Sequence, residues 1–161
     1  EEAGTAIEET LSGANNPAGR LPVTFYRNVS QLPPFDDYSM NGRTYRYFKG
    51  EPLWGFGWGL SYSKFAYSEL RTRRLAKSGR VTVRVKNTSD RAGDEVVQLY
   101  VSGARDSIRD LRGFRRIHFK AGETRRVEFS LAPEDIAGKG IRVTVGGGQP
   151  GPAAESVQGV L

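Results

Sequence analysis

Cysteine is absent from the 161-residue chain, and histidine and methionine occur once each. No disulfide, thiolate metal site or cysteine nucleophile is therefore available. One histidine, His118, falls short of a structural zinc centre, which takes four protein ligands. Its place between Ile117 and Phe119 fits an outward-facing strand residue. No run approaches the roughly 18 apolar residues of a membrane-spanning helix. The acidic start Glu1-Glu2 is unlike a signal peptide, so any export signal is expected upstream. No Gly-x-Ser-x-Gly elbow surrounds a serine. Gly55, Gly57 and Gly59 alternate with Phe56 and Trp58, but no lysine closes them and no amphipathic helix follows, which argues against a phosphate loop. These glycines are expected to let backbone pack tightly beside aromatic rings. No cofactor is called for.

What is present divides the chain. Residues 1–62 carry 5 Lys/Arg against 7 Asp/Glu, and residues 63–161 carry 19 against 11, so the net charge of +6 comes from the second part. Arg71, Arg73, Arg74, Lys77 and Arg80 cluster ahead of the first clear strand pattern. Arg105, Arg109, Arg112, Arg115 and Arg116 cluster around Gly113. Neither a groove-reading helix nor an RNA-binding aromatic motif accompanies them, so nucleic acid is not the expected partner. A solvated arginine-rich face, able to attract acidic polysaccharide, is the plainer reading.

Ala3, Ile7 and Leu11 recur at helical spacing, and Gly13 follows, so Glu1 to Gly13 is read as one amphipathic helix. Asn15 to Gly19 is a turn cluster. Leu21 to Tyr26 reads as a short strand, with Pro22 suiting an edge. One helix and one strand cannot bury their apolar faces on each other, so this unit lacks its sheet. Ser30 to Tyr62 holds Pro33, Pro34 and Pro52 among many aromatics, the pattern of an ordered wrapping linker rather than of disorder. From Phe65 on the pattern is β. Val81, Val83 and Val85; Val97, Leu99 and Val101; Val127, Phe129 and Leu131; and Ile141, Val143 and Val145 each alternate with polar neighbours. Turn signals at residues 87–90, 120–123 and 146–148 separate them, and Ser156 to Leu161 starts a last strand. Short strands at this spacing favour a two-sheet sandwich.

The stretches Asn16 to Tyr26 (NPAGRLPVTFY) and Pro33 to Phe65 (PPFDDYSMNGRTYRYFKGEPLWGFGWGLSYSKF) resemble the C-terminal end of glycoside hydrolase family 3, the β-glucosidase and β-xylosidase family. NTSDRAGDEVVQLY, LRGFRRIHFKAGET and VTVGGGQPG are similar to strands and turns of its terminal domain. The resemblance implies a mainly β fold: a fibronectin type III/immunoglobulin-like β-sandwich over residues 65–161, preceded by a remnant of the α/β sandwich domain (one helix, one strand) over 1–29 and an aromatic, Gly/Pro-rich linker over 30–64. It implies a non-catalytic accessory region of an O-glycosyl hydrolase, partnered by upstream catalytic domains of the same polypeptide and by polysaccharide such as xylan, in an exported setting. The PPFDDYSMNGRTYRYF and VTVGGGQPG forms lean toward β-xylosidase-like members. A stand-alone carbohydrate- or surface-binding module is the alternative.

Glycoside hydrolysis needs two carboxyl groups across the scissile bond. Adjacent Asp36 and Asp37 point apart on extended backbone and read as solvated or linker-capping, and Asp94-Glu95 reads as a turn cap after Gly93. The family's nucleophile and acid/base lie in segments not present here, so no catalytic residue carries over; Glu1 and Glu2 resemble a helix-opening acidic pair that is not the catalytic acid. Trp54, Trp58, Tyr45 and Tyr47 are the candidate sugar-binding residues, since sugars stack on aromatic rings. The competing and favoured reading is that these rings cement the sandwich remnant to the β-domain. Deletion of Glu1 to Tyr26 is accordingly expected to cost the β-domain little.

Overall fold

The computed structural model describes residues 2–103, 108–151 and 155–161. Glu1 and Arg105, both singled out above, lie outside the described residues. The chain opens on helix α1 (Ala3–Ser12), which ends at Gly13 in the left-handed region, φ 84. None of its residues is buried. A ten-residue helix is marginal in water without a packed face, and the predicted apolar stripe of Ile7 and Leu11 is open to solvent.

Residues 21–26 do not form the expected strand. Only Phe25 makes a ladder bridge, antiparallel to Trp54, while Leu21 exchanges hydrogen bonds with residues 57 and 58. Pro22 has no N–H to continue the ladder, and this segment has a single neighbour. The linker contains a 3₁₀ turn at Val29–Gln31 and the one-turn helix α2 (Thr44–Tyr47).

The remainder is the expected sandwich. Strands β1 (Phe65–Arg74), β2 (Gly79–Asn87) and β5 (Thr124–Leu131) form a three-stranded sheet in the order β1-β2-β5. Strands β3 (Gly93–Ser102), β4 (Asp110–Phe119), β6 (Arg142–Gly146) and β7 (Ser156–Val160) form a four-stranded sheet in the order β4-β3-β6-β7. All pairings are antiparallel. The inward valines of β2, β3, β5 and β6 meet Leu99, Phe129 and Leu131 between the sheets, and Phe65 meets Phe119 edge-on at 5.4 Å. Each such burial is worth about 1.5–3 kcal/mol relative to exposure.

Two strands and one face depart from expectation. Arg71, Arg73 and Arg74 lie inside β1, not ahead of the first strand. A bulge between Ser68 and Arg71 breaks the period of two there, which hides the strand from pattern reading. β4 is similarly obscured by a register shift opposite Leu99 and Tyr100. The outer face of β3 is expected to be solvated, yet Gln98 and Tyr100 are 3% and 1% exposed, because the aromatic linker lies across it.

Candidate functional site

The linker is sewn to the β-sandwich by side chains from the NPAGR turn. Asn16 spends its whole hydrogen-bonding capacity on this seam. Its Nδ2 donates to Ser63 Oγ (2.8 Å) and to the Ala92 carbonyl (2.8 Å), and its Oδ1 accepts from Ser61 Oγ (3.2 Å) and the Tyr62 N–H (3.0 Å). Four residues on, Arg20 reaches through the seam: Nη2 donates to Glu95 Oε2 at 2.9 Å and Nε to the Gly147 carbonyl at 3.2 Å. Tyr67 completes the group, its hydroxyl donating to Glu95 Oε1 at 2.9 Å.

Glu95 is therefore no turn cap. It is 2% exposed, on the inward side of β3, where burial raises its carboxyl above the ordinary value and outweighs the opposing charge of Arg20. Burial and the Glu95 charge push the Tyr67 phenol well up. With both carboxylate oxygens engaged and its own side chain buried beneath the half-buried Arg20 and Tyr67, Glu95 is placed to hold structure rather than to meet a substrate. Its neighbour Asp94 faces the other way, taking Arg116 Nε at 2.8 Å and His118 Nδ1 at 2.7 Å. These contacts, the His118 hydrogen bond foremost, lower its carboxyl. His118 faces outward as expected, and among the described residues no three His, Asp or Glu side chains gather as a metal-holding group. Asp37 caps the Ser39 N–H at 2.8 Å, which lowers its carboxyl, in keeping with a linker-capping role.

The glycine run is explained by close approach. Gly57 sits at φ 76 with Gln98 filling the space where a Cβ would project, and a Cβ on Gly59 would stand 2.0 Å from the Gly19 carbonyl oxygen. Gln98 holds this crossing, its Nε2 donating to the Gly147 carbonyl at 3.2 Å while its Oε1 accepts from the Tyr100 hydroxyl at 2.6 Å.

The four candidate aromatic residues fall into two places. Trp54 and Trp58 stack on each other, centroids 5.5 Å apart at 18°, with Phe25 edge-on to Trp54. Tyr45 turns toward the β-domain: it stacks on Phe56 at 4.4 Å, meets Tyr100 edge-on, and its hydroxyl accepts the Leu111 N–H at 3.2 Å. Tyr47, capped by the Arg46 guanidinium, lines with Tyr45 a separate cleft of about 660 Å³ whose walls include Val23, Tyr26, Met40 and Arg43. Thr24, on that wall, has its Oγ1 buried without a hydrogen-bond partner. Around these groups the segment exposes Val29, Leu32, Phe35 and Tyr38, the last two at 97% and 89%.

Comparison with known proteins places these features. The glycosyl hydrolase family 3 C-terminal domain matches residues 1–62, and a fibronectin type III-like domain matches residues 95–138. A xylan 1,4-β-xylosidase from Xylanibacter ruminicola is 42% identical over 141 residues, covering 84% of this chain and 16% of that protein. A periplasmic β-glucosidase from Salmonella typhimurium is 37% identical over 155 residues, covering 84% of this chain and 20% of its own. The solved β-glucosidase 3B from Thermotoga neapolitana superposes with a TM-score of 0.86 at 29% identity, over 99% of this chain and 26% of that one. The chain thus spans between about a sixth and about a quarter of the length of these three relatives.

Proposed function

The chain belongs to glycoside hydrolase family 3, carrying its C-terminal and fibronectin type III-like domains, and from that membership we propose that it is the non-catalytic brace of a β-glycosidase. Its partner in this reading is the catalytic part of the same polypeptide. The observation that carries the proposal is the contrast between its two halves. Residues 65–161 close their core, whereas Ile7, Leu11, Val29, Phe35 and Tyr38 of the first half stand exposed. Apolar side chains concentrated in this way mark a surface made to be covered. The division into an α/β remnant over 1–29, a wrapping linker over 30–64 and a sandwich over 65–161 belongs to the same proposal.

The enzyme so braced is of β-xylosidase or β-glucosidase type, in line with the names of the relatives. The stacked pair of Trp54 and Trp58 and the Tyr45–Tyr47 cleft belong to the covered surface rather than to a sugar platform. The test is a graft. This chain replaces the matching region of the Xylanibacter ruminicola xylosidase, and activity is compared with that enzyme lacking the region. Recovery of folded, active enzyme is expected, while the isolated chain turns over no aryl β-xyloside or β-glucoside. A graft no better than the truncated enzyme, or turnover by the rigorously purified chain, overturns the proposal.

A further inference from the structure

The two outer faces of the sandwich are treated in opposite ways. The aromatic linker covers the middle of the outer side of the four-stranded sheet, over β3 and β6, where Gln98, Tyr100 and Thr144 are buried, and leaves Phe114, Arg116 and His118 of β4 exposed. The outer side of the three-stranded sheet is bare, and the register shows what it carries. Ser68, Arg84 and Arg126 share one row across β1, β2 and β5; Arg71, Thr82 and Glu128 the next; Arg73, Arg80 and Ser130 a third; and Lys86 with Thr124 sits at the end. All six cations are exposed. Two carboxylates answer them, Glu69 to Arg84 at 2.7 Å and Glu128 to Arg80 at 3.3 Å. Arg71, Arg73, Lys86 and Arg126 have no acidic partner among the described residues. Arg84 stands directly opposite Arg126, and Arg73 opposite Arg80, an arrangement that is unfavourable for the sheet by itself.

We infer that this face is a docking surface for a carboxylate-bearing polysaccharide, a chain of uronic acid residues laid across β1, β2 and β5. Arg126 and Arg73, each one strand spacing of about 4.8 Å from an arginine already held by a glutamate, and Arg71 in the row between them offer carboxylates the bidentate pairing that arginine makes with that group. Ser68, Thr82, Thr124 and Ser130 stand among the cations with hydroxyls that hold no hydrogen bond within the described residues, free for sugar hydroxyls. The face carries no aromatic ring on which a nucleic-acid base could stack, and it presents no helix to a groove. It lies on the sheet opposite the one that the linker crosses. The choice of a glycan among polyanions rests on the function proposed above; the composition of the face does not.

The test uses the whole chain on immobilised polygalacturonate, on its fully methyl-esterified form, on neutral xylan and with duplex and single-stranded DNA. Retention is expected on the free acid alone among the glycans, falling at least about tenfold from about 50 to about 300 mM NaCl. Arg126→Glu and Arg73→Glu, with unchanged melting curves, each weaken it by about fivefold, the scale of an exposed ion pair. Lys49→Glu, the same charge change on the linker, leaves it within about twofold. Equal retention on the esterified polymer, unaltered binding by the face variants, or no binding at low salt overturns the inference. Tighter binding of DNA than of polygalacturonate overturns it too and assigns the face to nucleic acid. A failed graft with intact polygalacturonate retention removes the brace and leaves this face standing.

Discussion

Removing the Arg20 guanidinium tests how the buried Glu95 is tolerated. In the Arg20→Ala variant the Glu95 carboxylate, at 2% exposure, loses its one cationic partner among the described residues, and an uncompensated buried charge costs about 3–5 kcal/mol. The carboxyl has an escape, because it can take a proton. That limits the electrostatic cost at pH 7 to the work of protonating a group whose ordinary value is 4.5, about 3.4 kcal/mol at 1.36 kcal/mol per pH unit. At pH 5 the same limit is about 0.7 kcal/mol, and the lost hydrogen bonds to Glu95 and Gly147 add about 1 kcal/mol at either pH. The sign follows from the raised carboxyl: stability it confers is complete below the unfolded value and drains away as pH rises through the folded one. Because the parent's raised Glu95 already bears part of that work, the destabilisation is expected to be at most about 4 kcal/mol at pH 7 and at most about 2 kcal/mol at pH 5, and larger at pH 7. Urea melts followed by circular dichroism at both pH values read it. In a Glu95→Gln background the same substitution should cost about 1 kcal/mol with no pH dependence. Equal costs at pH 5 and pH 7, or a coupling energy under about 0.5 kcal/mol in the double-mutant cycle, refutes the buried-pair account.

The seam makes the other outcomes specific. Deleting residues 2–13 removes a helix with no buried residue of its own and the two carbonyls, of Thr10 and Gly13, that accept from Tyr62 and Arg91; it should shift the melting temperature by no more than about 4 °C. Deletion through Tyr26 also removes Asn16 and Arg20 and should cost about 3 kcal/mol or more by urea melts; a small loss there restores the expectation drawn from sequence. Asn16→Ala leaves the Ala92 carbonyl and the Tyr62 N–H short of a partner, and a loss of about 2 kcal/mol is expected by the same melts. Gly59→Ala drives a Cβ to 2.0 Å from the Gly19 carbonyl, and scanning calorimetry should find a fall of roughly 8 °C or more, with an unchanged melt ruling out the close crossing. Trp54→Ala should leave affinity for neutral xylan at zero, as for the parent chain, in affinity electrophoresis; xylan binding by the parent that this substitution abolishes returns the glycan-platform reading.

Much of the fold is legible because four strands keep a strict alternation of Val, Leu and Phe with polar residues, and a half-covered sheet selects that pattern directly. β1 and β4 are not legible because bulges break the alternation where arginines crowd. Leu21 to Tyr26 has strand composition and lacks the second neighbour that would make it one. The seam was readable in part. Glu95 has the same parity as Val97, Leu99 and Val101, so the alternation that located β3 also put its side chain inside. An inward glutamate demands a cation, and Arg20 in the NPAGR turn supplies it across 75 positions of sequence. No local pattern announces a contact at that separation. The burial of Gln98 and Tyr100 on the outer face was equally silent, because it depends on where the linker lies and not on the strand that carries them.

The position of the charged pair has a mechanical consequence for the proposed brace. A seam of apolar contacts alone is adaptable, since volume-conserving rearrangements of such surfaces cost little. A buried ion pair tolerates much less displacement, because separating its partners inside a closed site exposes the full cost of an unpaired charge. Arg20 is bonded to β3 through Glu95 and to the turn after β6 through the Gly147 carbonyl, and Tyr67 holds Glu95 from β1 in the opposite sheet. One guanidinium thus references the first half of the chain to both sheets at once. The exposed apolar side chains from Val29 to Tyr38 follow that anchor in sequence, and the proposed brace requires that they be held at one angle to the sandwich. Arg20→Lys keeps the charge and gives up the fork; it should hold most of the stability at pH 7 yet loosen this angle. Faster proteolytic cleavage within residues 21–62 with a melting temperature within about 4 °C of the parent is the expected pairing. Unchanged cleavage kinetics in Arg20→Lys would mean that charge alone, and not the geometry of the fork, sets the seam.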